Sequence, residues 1–186
     1  GALPVDVMMS ANSREIIKGI EGWRVGKHEF TYDGQQASIT VHAIKAMAQP
    51  VGAYIAWGMN NQGEWARPEK DLLHATVAVL DSGFNTLDLL VVKKGKIEKR
   101  FTGGETLGVR RAAEEICRAV KAQFGYDMPK AEADTFIRAY LERGSTDFAT
   151  GDLRPVVKRA LHSLATQTAD FIEDTWGSAG QFTHVL

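Results

Sequence analysis

Apolar and polar positions along the chain follow two periods, and the changes between them predict the elements. Residues 13–21 carry Ile16, Ile17 and Ile20 on one helical face, with Asn12 or Ser13 as the cap and Gly22 just past the end. Residues 28–42, H-E-F-T-Y-D-G-Q-Q-A-S-I-T-V-H, read as two strands around Asp33-Gly34, a strong hairpin signal. A short strand follows at 43–48. Gln49-Pro50 then opens an apolar helix through Ala53, Tyr54 and Trp57, because proline is tolerated in a first turn. Residues 60–71 form a polar loop. Three strands come next, at 75–81, 86–93 and 96–102, the second turn being Lys94-Gly95.

The period then changes to helical. Gly103-Gly104 separates the third strand from a helix through about Phe124, with Val109, Ala113, Ile116 and Val120 in one stripe. A helix after Pro129 turns Phe136, Ile137, Tyr140 and Leu141 inward, and residues 144–151 form a loop. A long helix begins at Asp152 or Leu153 and runs to about Trp176. Its buried stripe is Val157, Leu161, Leu164, Thr168, Phe171 and Ile172. Residues 182–186 read as the start of a strand. Three antiparallel strands, then helices, then a further strand predict an α/β fold with a mixed sheet covered by helices, of which the ribonuclease-H-like sheet is one example.

Composition narrows the function classes. A chain of 186 residues buries roughly 70% of its unfolded surface and needs no covalent staples. The formal net charge of -1 argues against a nucleic-acid surface spread over the whole domain. The densest basic cluster, Lys93, Lys94, Lys96, Lys99 and Arg100, fits a solvated strand edge. Cys117 is the only cysteine, so no internal disulfide can form. That suits a reducing compartment, and the cytoplasm is the expected location. No apolar run reaches membrane-spanning length. Both ends look cut, so the chain reads as a fragment of a longer protein.

The candidate chemistry centres on residues 77–92, V-A-V-L-D-S-G-F-N-T-L-D-L-L-V-V. Asp81-Ser82-Gly83-Phe84-Asn85-Thr86 is open to two readings. As a phosphate hairpin, Gly83 lets backbone amides approach oxygens, Thr86 adds a hydroxyl, and Asp81 holds a hydrated Mg²⁺. As a plain turn, it has the ordinary Asp, Ser, Gly and Asn content, and on these six residues alone the turn is the commoner case. Asp88 stands in an otherwise apolar strand, where a structural and a functional role weigh about equally. Gly103, Gly104 and Gly108 form either an anion site at a helix start or a closely packed corner, with Thr102 and Glu105 as a capping box. Gln49 either orients a water, as amides do in nucleotide hydrolases, or is a polar cap. The five histidines are scattered without metal-site spacing, and no G-x-x-x-x-G-K-[ST] loop is present.

Four stretches in order give the chain a family resemblance: G-A-L-P-V at 1–5, M-A-Q-P-V-G-A at 47–53, V-L-D-S-G with T-L-D at 79–88, and G-G-E-T-L-G at 103–108. Together with Q-F-T-H-V-L at 181–186, the chain resembles the actin-like ATPases of plasmid segregation, the ParM or StbA type, within the actin, sugar-kinase and heat-shock-chaperone superfamily. The resemblance covers nearly the whole chain and the middle of the family's length.

It implies a ribonuclease-H-like, actin-like ATPase fold, with 1–48 the rest of a first domain, 49–60 a connecting helix and 72–186 a second domain. It implies ATP and Mg²⁺ as cofactors. Asp81 would be the magnesium-linked acid and Gln49 the water-orienting residue. Ser82, Gly83, Asn85, Thr86 and Asp88 would lie along the phosphates, and Gly103, Gly104 and Gly108 near the ribose. The implied partners are further copies in a filament and a DNA-bound adaptor, with no direct nucleic-acid or membrane contact. The whole protein would hydrolyse ATP, and this stretch alone would be inactive. Phe84 departs from the family, which often has Gly there. That departure, with Asn85 where a second small residue is common, keeps a non-hydrolysing assembly module as an alternative, and a sugar- or acid-kinase relative stays open as a lesser one although no acceptor-site base is seen in this stretch.

Overall fold

The computed structural model describes residues 1–66, 74–146, 148–149 and 151–186. Residues 67–71 of the expected polar loop, positions 72 and 73 of the expected second domain, and positions 147 and 150 of the loop at 144–151 lie outside the described residues.

The chain opens with β1 (Ala2–Leu3), and Pro4 caps α1 (Val5–Met9). Next comes α2 (Ser13–Arg24), which starts after Asn12 as expected but runs through Gly22. A glycine inside a helix costs about 1 kcal/mol against alanine without ending it. The left-handed backbone that breaks the chain direction belongs to Gly26, at φ 131°. Strands β2 (Gly26–Tyr32) and β3 (Gln35–Val41) pair antiparallel in register from Gly26↔Val41 to Tyr32↔Gln35. Asp33 and Gly34 both have positive φ, 48° and 76°. This is the primed turn whose twist matches the strands.

β4 (Met47–Ala48) lies parallel to β1, and α3 (Val51–Gly58) follows with Pro50 at its N-cap. The Trp65 indole lies so close over Gly58 that a Cβ at position 58 would collide with it.

The main sheet is mixed. β5 (Thr76–Ser82) and β6 (Leu87–Lys93) pair antiparallel along their whole length, from Thr76↔Lys93 to Ser82↔Leu87. Lys94 and Gly95, at φ 52° and 70°, make a second primed turn into β7 (Lys96–Ile97).

The expected strand over 96–102 is broken. After β7 the chain makes a 3-10 turn at Lys99–Phe101, then returns as β8 (Gly103–Glu105), which also pairs with β6. The cause is Thr102. Its hydroxyl accepts the Val91 N–H at 3.1 Å and donates to the Glu98 carbonyl at 2.9 Å, so a side chain fills a ladder position on β6. Gly103 and Gly104 are therefore strand residues, not a separator before a helix. The expected Thr102–Glu105 capping box does not form either. The next helix, α4 (Val109–Phe124), starts from Gly108 with no side-chain cap.

α5 (Lys130–Arg143) and α6 (Arg154–Trp176) complete the helical layer, and β9 (His184–Val185) joins β5 in parallel through Val77↔His184. Gly125 and Gly144 end α4 and α5 in the left-handed conformation typical of helix C-termini.

The sheet is buried on both faces. Val79, Leu90 and Val92 pack against Val51 and Tyr54 of α3. Ala78, Leu89 and Val91 pack against Trp176, Phe171 and Ile172 of α6. A separate core joins the helices through Ala113, Ile116, Val120, Phe136, Ile137 and Val157. The stripe expected along α6 is thus shared between two cores. Val156, Val157 and Ala160 are buried in one and Trp176 in the other, while Leu161, Leu164, Thr168, Phe171 and Ile172 are half-buried. Leu141, expected inward, is 67% exposed. At 100° per residue, Leu141 falls about 90° from the centre of the stripe formed by Ala133, Phe136, Ile137 and Tyr140.

Candidate functional site

The antiparallel register sets Asp81 directly opposite Asp88 at the end of the sheet. Opposed residues point to the same face, so both carboxylates lie beyond the Val79–Leu90 row that packs on α3. The turn at 83–86 is closed by the Gly83 N–H donating to the Thr86 carbonyl at 2.9 Å. α4 then abuts this turn. Val109 N–H donates to the Gly83 carbonyl at 3.2 Å, and Arg110 N–H to the Phe84 carbonyl at 2.8 Å. The first amides of α4 are thus occupied by turn carbonyls. This favours the packed-corner reading of Gly103, Gly104 and Gly108 over a free anion site at the helix start.

The glycines of this corner differ in what holds them. A Cβ on Gly108 would fall on the Phe84 carbonyl. One on Gly104 would lie 2.7 Å from Asp88 Oδ1 and 2.9 Å from the Asp6 amide nitrogen. Both are required by close approach. A Cβ on Gly103 would make only ordinary contact with the Phe171 ring at 3.6 Å. Gly83 differs again: its φ lies outside the left-handed region, and its Cβ would meet nothing nearer than the Thr86 carbonyl oxygen at 3.4 Å. Neither the turn backbone nor the packing demands glycine at 83.

Asp88 is 1% exposed. Its Oδ1 accepts the Val5 N–H at 2.7 Å and its Oδ2 accepts the Thr86 hydroxyl at 3.0 Å. Burial pushes its carboxyl above the usual aspartate range. The two hydrogen bonds pull it back in part, and the nearby Asp6 and Asp81 charges add to the rise. Asp81 is half-buried, and its carboxylate makes no hydrogen bond or ion pair with the described residues. Ser82 and Asn85 are exposed, and Phe84 is 42% exposed, so its ring does not pack into the turn.

Gln49 reaches the same corner through the backbone. Its N–H donates to the Leu3 carbonyl at 2.8 Å, two residues before the Val5 amide that Asp88 holds. Its side chain is exposed and does not cap α3. Val5 and Asp6 are the members of this corner that sequence reasoning missed. Nothing local marks them, because the contact spans 83 residues.

Among the described residues, no group of three or more His, Cys, Asp or Glu is placed to hold a metal. Mg²⁺ keeps most of its waters and is held through one or two carboxylates, a donor set that the Asp81 carboxylate would fit. Cys117 is half-buried against the helical core, and burial pushes its thiol up, away from the reactive thiolate. No described helix is long and apolar enough to cross a membrane.

Residues 79–186 match the family model for the C-terminal part of MreB-like archaeal actin homologues. No curated protein matches the chain. Among solved structures, the archaeal actin homologue Ta0583 aligns with a TM-score of 0.74 at 17% identity, covering 100% of this chain and 55% of that one. The same protein in complex with ADP aligns at 0.69 and 17% identity, over 99% of this chain and 55% of that one. A subunit of a 15-stranded ParM filament from Clostridium botulinum aligns at 0.69 and 16% identity, over 99% and 53%. The chain therefore has the actin-like fold, and it spans about half the length of these relatives.

Proposed function

This chain belongs to the family of MreB-like actin homologues, and on that premise we propose that it forms part of an ATP-binding, filament-forming protein. One observation carries the reading: at the turn end of the β5–β6 hairpin, a glycine the fold does not need lies two residues from an acceptor carboxylate that makes no hydrogen bond or ion pair with the described residues. A ligand approaching the backbone there would account for both.

In this reading Ser82, Gly83, Asn85 and Thr86 meet the phosphates. Asp81 holds the waters of a Mg²⁺ ion, which when bound supplies charge neutralisation on the phosphate oxygens. Gln49, carried at the head of α3, orients the attacking water. Gly103, Gly104 and Gly108 shape the wall beside them. The ADP complex of Ta0583 supports a nucleotide, and the ParM filament supports self-assembly. Residues 1–48 and 72–186 then belong to two domains joined by the helix within 49–60. Segregation of plasmid or other DNA through a DNA-bound adaptor, in the cytoplasm, is the cellular role proposed.

Calorimetry with ATP, with and without Mg²⁺, tests the site in the intact protein, and sedimentation with ATP tests assembly. Mg²⁺-dependent binding abolished by Asp81→Ala is expected. Unchanged binding in that variant would remove the site from these residues.

A second reading, an assembly module without hydrolysis, draws on Thr86, whose hydroxyl is already donated to Asp88. Phosphate release by the intact protein, no faster than by its Asp81→Ala variant, would favour it.

A further inference from the structure

Asp88 presents a puzzle of charge. A buried carboxylate needs compensation, and here it comes from two donors at opposite ends of a long stretch of chain rather than from a cation. One donor, Thr86, belongs to the turn at 83–86. The other, the Val5 amide, is at the first residue of α1, where the helix leaves an amide unpaired by its own ladder. β8 is shaped around this contact. Gly104 pairs with Asp88, and any side chain at 104 would strike both Asp88 Oδ1 and the Asp6 amide. From Val5 the path continues through Pro4 to Leu3, whose carbonyl holds the Gln49 amide.

We propose that Asp88 is a positioning residue: its carboxylate ties the turn, through Thr86, to the head of α1, and so holds β1 and Gln49 in register with the turn. Asp88 is 1% exposed and both its oxygens accept bonds inside the protein, which favours positioning over contact with a ligand. Thr86 orients the carboxylate so that Oδ1 faces Val5. The link to catalysis rests on the nucleotide reading above, whereas the link between Thr86 and Val5 does not.

The test follows amide hydrogen exchange at Val5 in the intact, nucleotide-free protein, in Thr86→Val, Thr86→Ser, Asp88→Asn and the Thr86→Val/Asp88→Asn double variant. Asn keeps an acceptor for Val5, so Asp88→Asn is expected to fold. Thr86→Val should speed Val5 exchange by about ten-fold or more, as expected for a lost bond to a charged acceptor. Thr86→Ser, which keeps the hydroxyl, should restore the wild-type rate, and Thr86→Val should add nothing in the Asp88→Asn background. An unchanged Val5 rate in Thr86→Val, or a fully additive double variant, overturns the proposal.

The second arm is kinetic. Asp88→Asn should lower kcat for ATP hydrolysis by about ten-fold through a displaced Gln49 while leaving KM within about two-fold. A rise in KM with kcat unchanged would make Asp88 a ligand contact and overturn the positioning role. If the wild-type protein binds no ATP, the functional reading fails, and the Val5 exchange rates still decide the link.

Discussion

The Arg110 amide donates to the Phe84 carbonyl at 2.8 Å, so the first turn of α4 is plugged by the turn between β5 and β6. The positive end of the helix stabilises a protein carbonyl there. The turn is thus held by α4 at both the Gly83 and the Phe84 carbonyls, while Ser82 and Asn85 are exposed.

Substitutions at the three glycines should therefore separate. Gly108→Ala and Gly104→Ala each force backbone or a buried carboxylate to shift and should cost about 1–3 kcal/mol. Gly83→Ala should stay within about 0.5 kcal/mol of wild type. Urea unfolding followed by circular dichroism gives all three values. If the nucleotide reading is right, Gly83→Ala alone should weaken ATP by about ten-fold, some 1.4 kcal/mol, in calorimetry.

Asp81→Asn keeps the size of the side chain and removes its charge. Stability should change little, since the carboxylate makes no bond within the described residues. The Mg²⁺ dependence of ATP binding should disappear. An Asn variant with undiminished Mg²⁺ dependence would place the metal elsewhere.

Two carboxylates should respond to pH with opposite signs. Glu114 is held down to about 2, first by its hydrogen bond from Lys130 on α5 and then by that from Arg110. A lowered folded value means its contribution is present above the ordinary glutamate range near ~4.3 and is lost as pH falls through about 2. Glu114→Gln should flatten the melting-temperature curve in that acid window. The effect is small, because the pair is solvent-screened.

Asp88, raised by burial, runs the other way. Its stabilising contribution is complete below the ordinary aspartate value near ~3.9 and fades as pH rises through its higher folded value. Asp88→Asn should remove that loss, visible as a smaller decline of melting temperature above the aspartate range than in wild type.

Trp176 closes the core under α6, 4% exposed, with its Nε1–H donating to the Phe101 carbonyl at 2.9 Å. Trp176→Ala should cost about 3–5 kcal/mol through the cavity. Trp176→Phe should cost less, about 1–3 kcal/mol, by leaving the Phe101 carbonyl short of its donor. Equal losses would mean that the indole hydrogen bond, not the ring volume, carries the effect.

Periodicity made much of the fold legible. Asp33-Gly34 and Lys94-Gly95 announce hairpins because two successive left-handed residues satisfy a primed turn wherever they occur. β5 and β6 declare themselves by apolar runs around a polar turn. The stripe Ala113, Ile116, Val120 announces a helix. Periodicity is silent where a side chain replaces backbone or packing intervenes: Thr102 breaks the third strand, Gly103 and Gly104 form β8, Gly22 stays helical, and Leu141 turns outward.

At the site, the sequence by itself determined which residue types stand beside the turn: Asp81, Gly83, Thr86, Asp88. Their chemistry is local, and strand register alone brings Asp81 to Asp88. Only the tertiary structure decided that Asp88 is bonded to Val5, that Gly104 and Gly108 are required by contact and Gly83 is not, and that turn carbonyls occupy the head of α4. The physical reason is range. Turn type and strand alternation depend on neighbours a few residues apart, whereas a buried carboxylate takes its partner from whatever segment the fold carries to it.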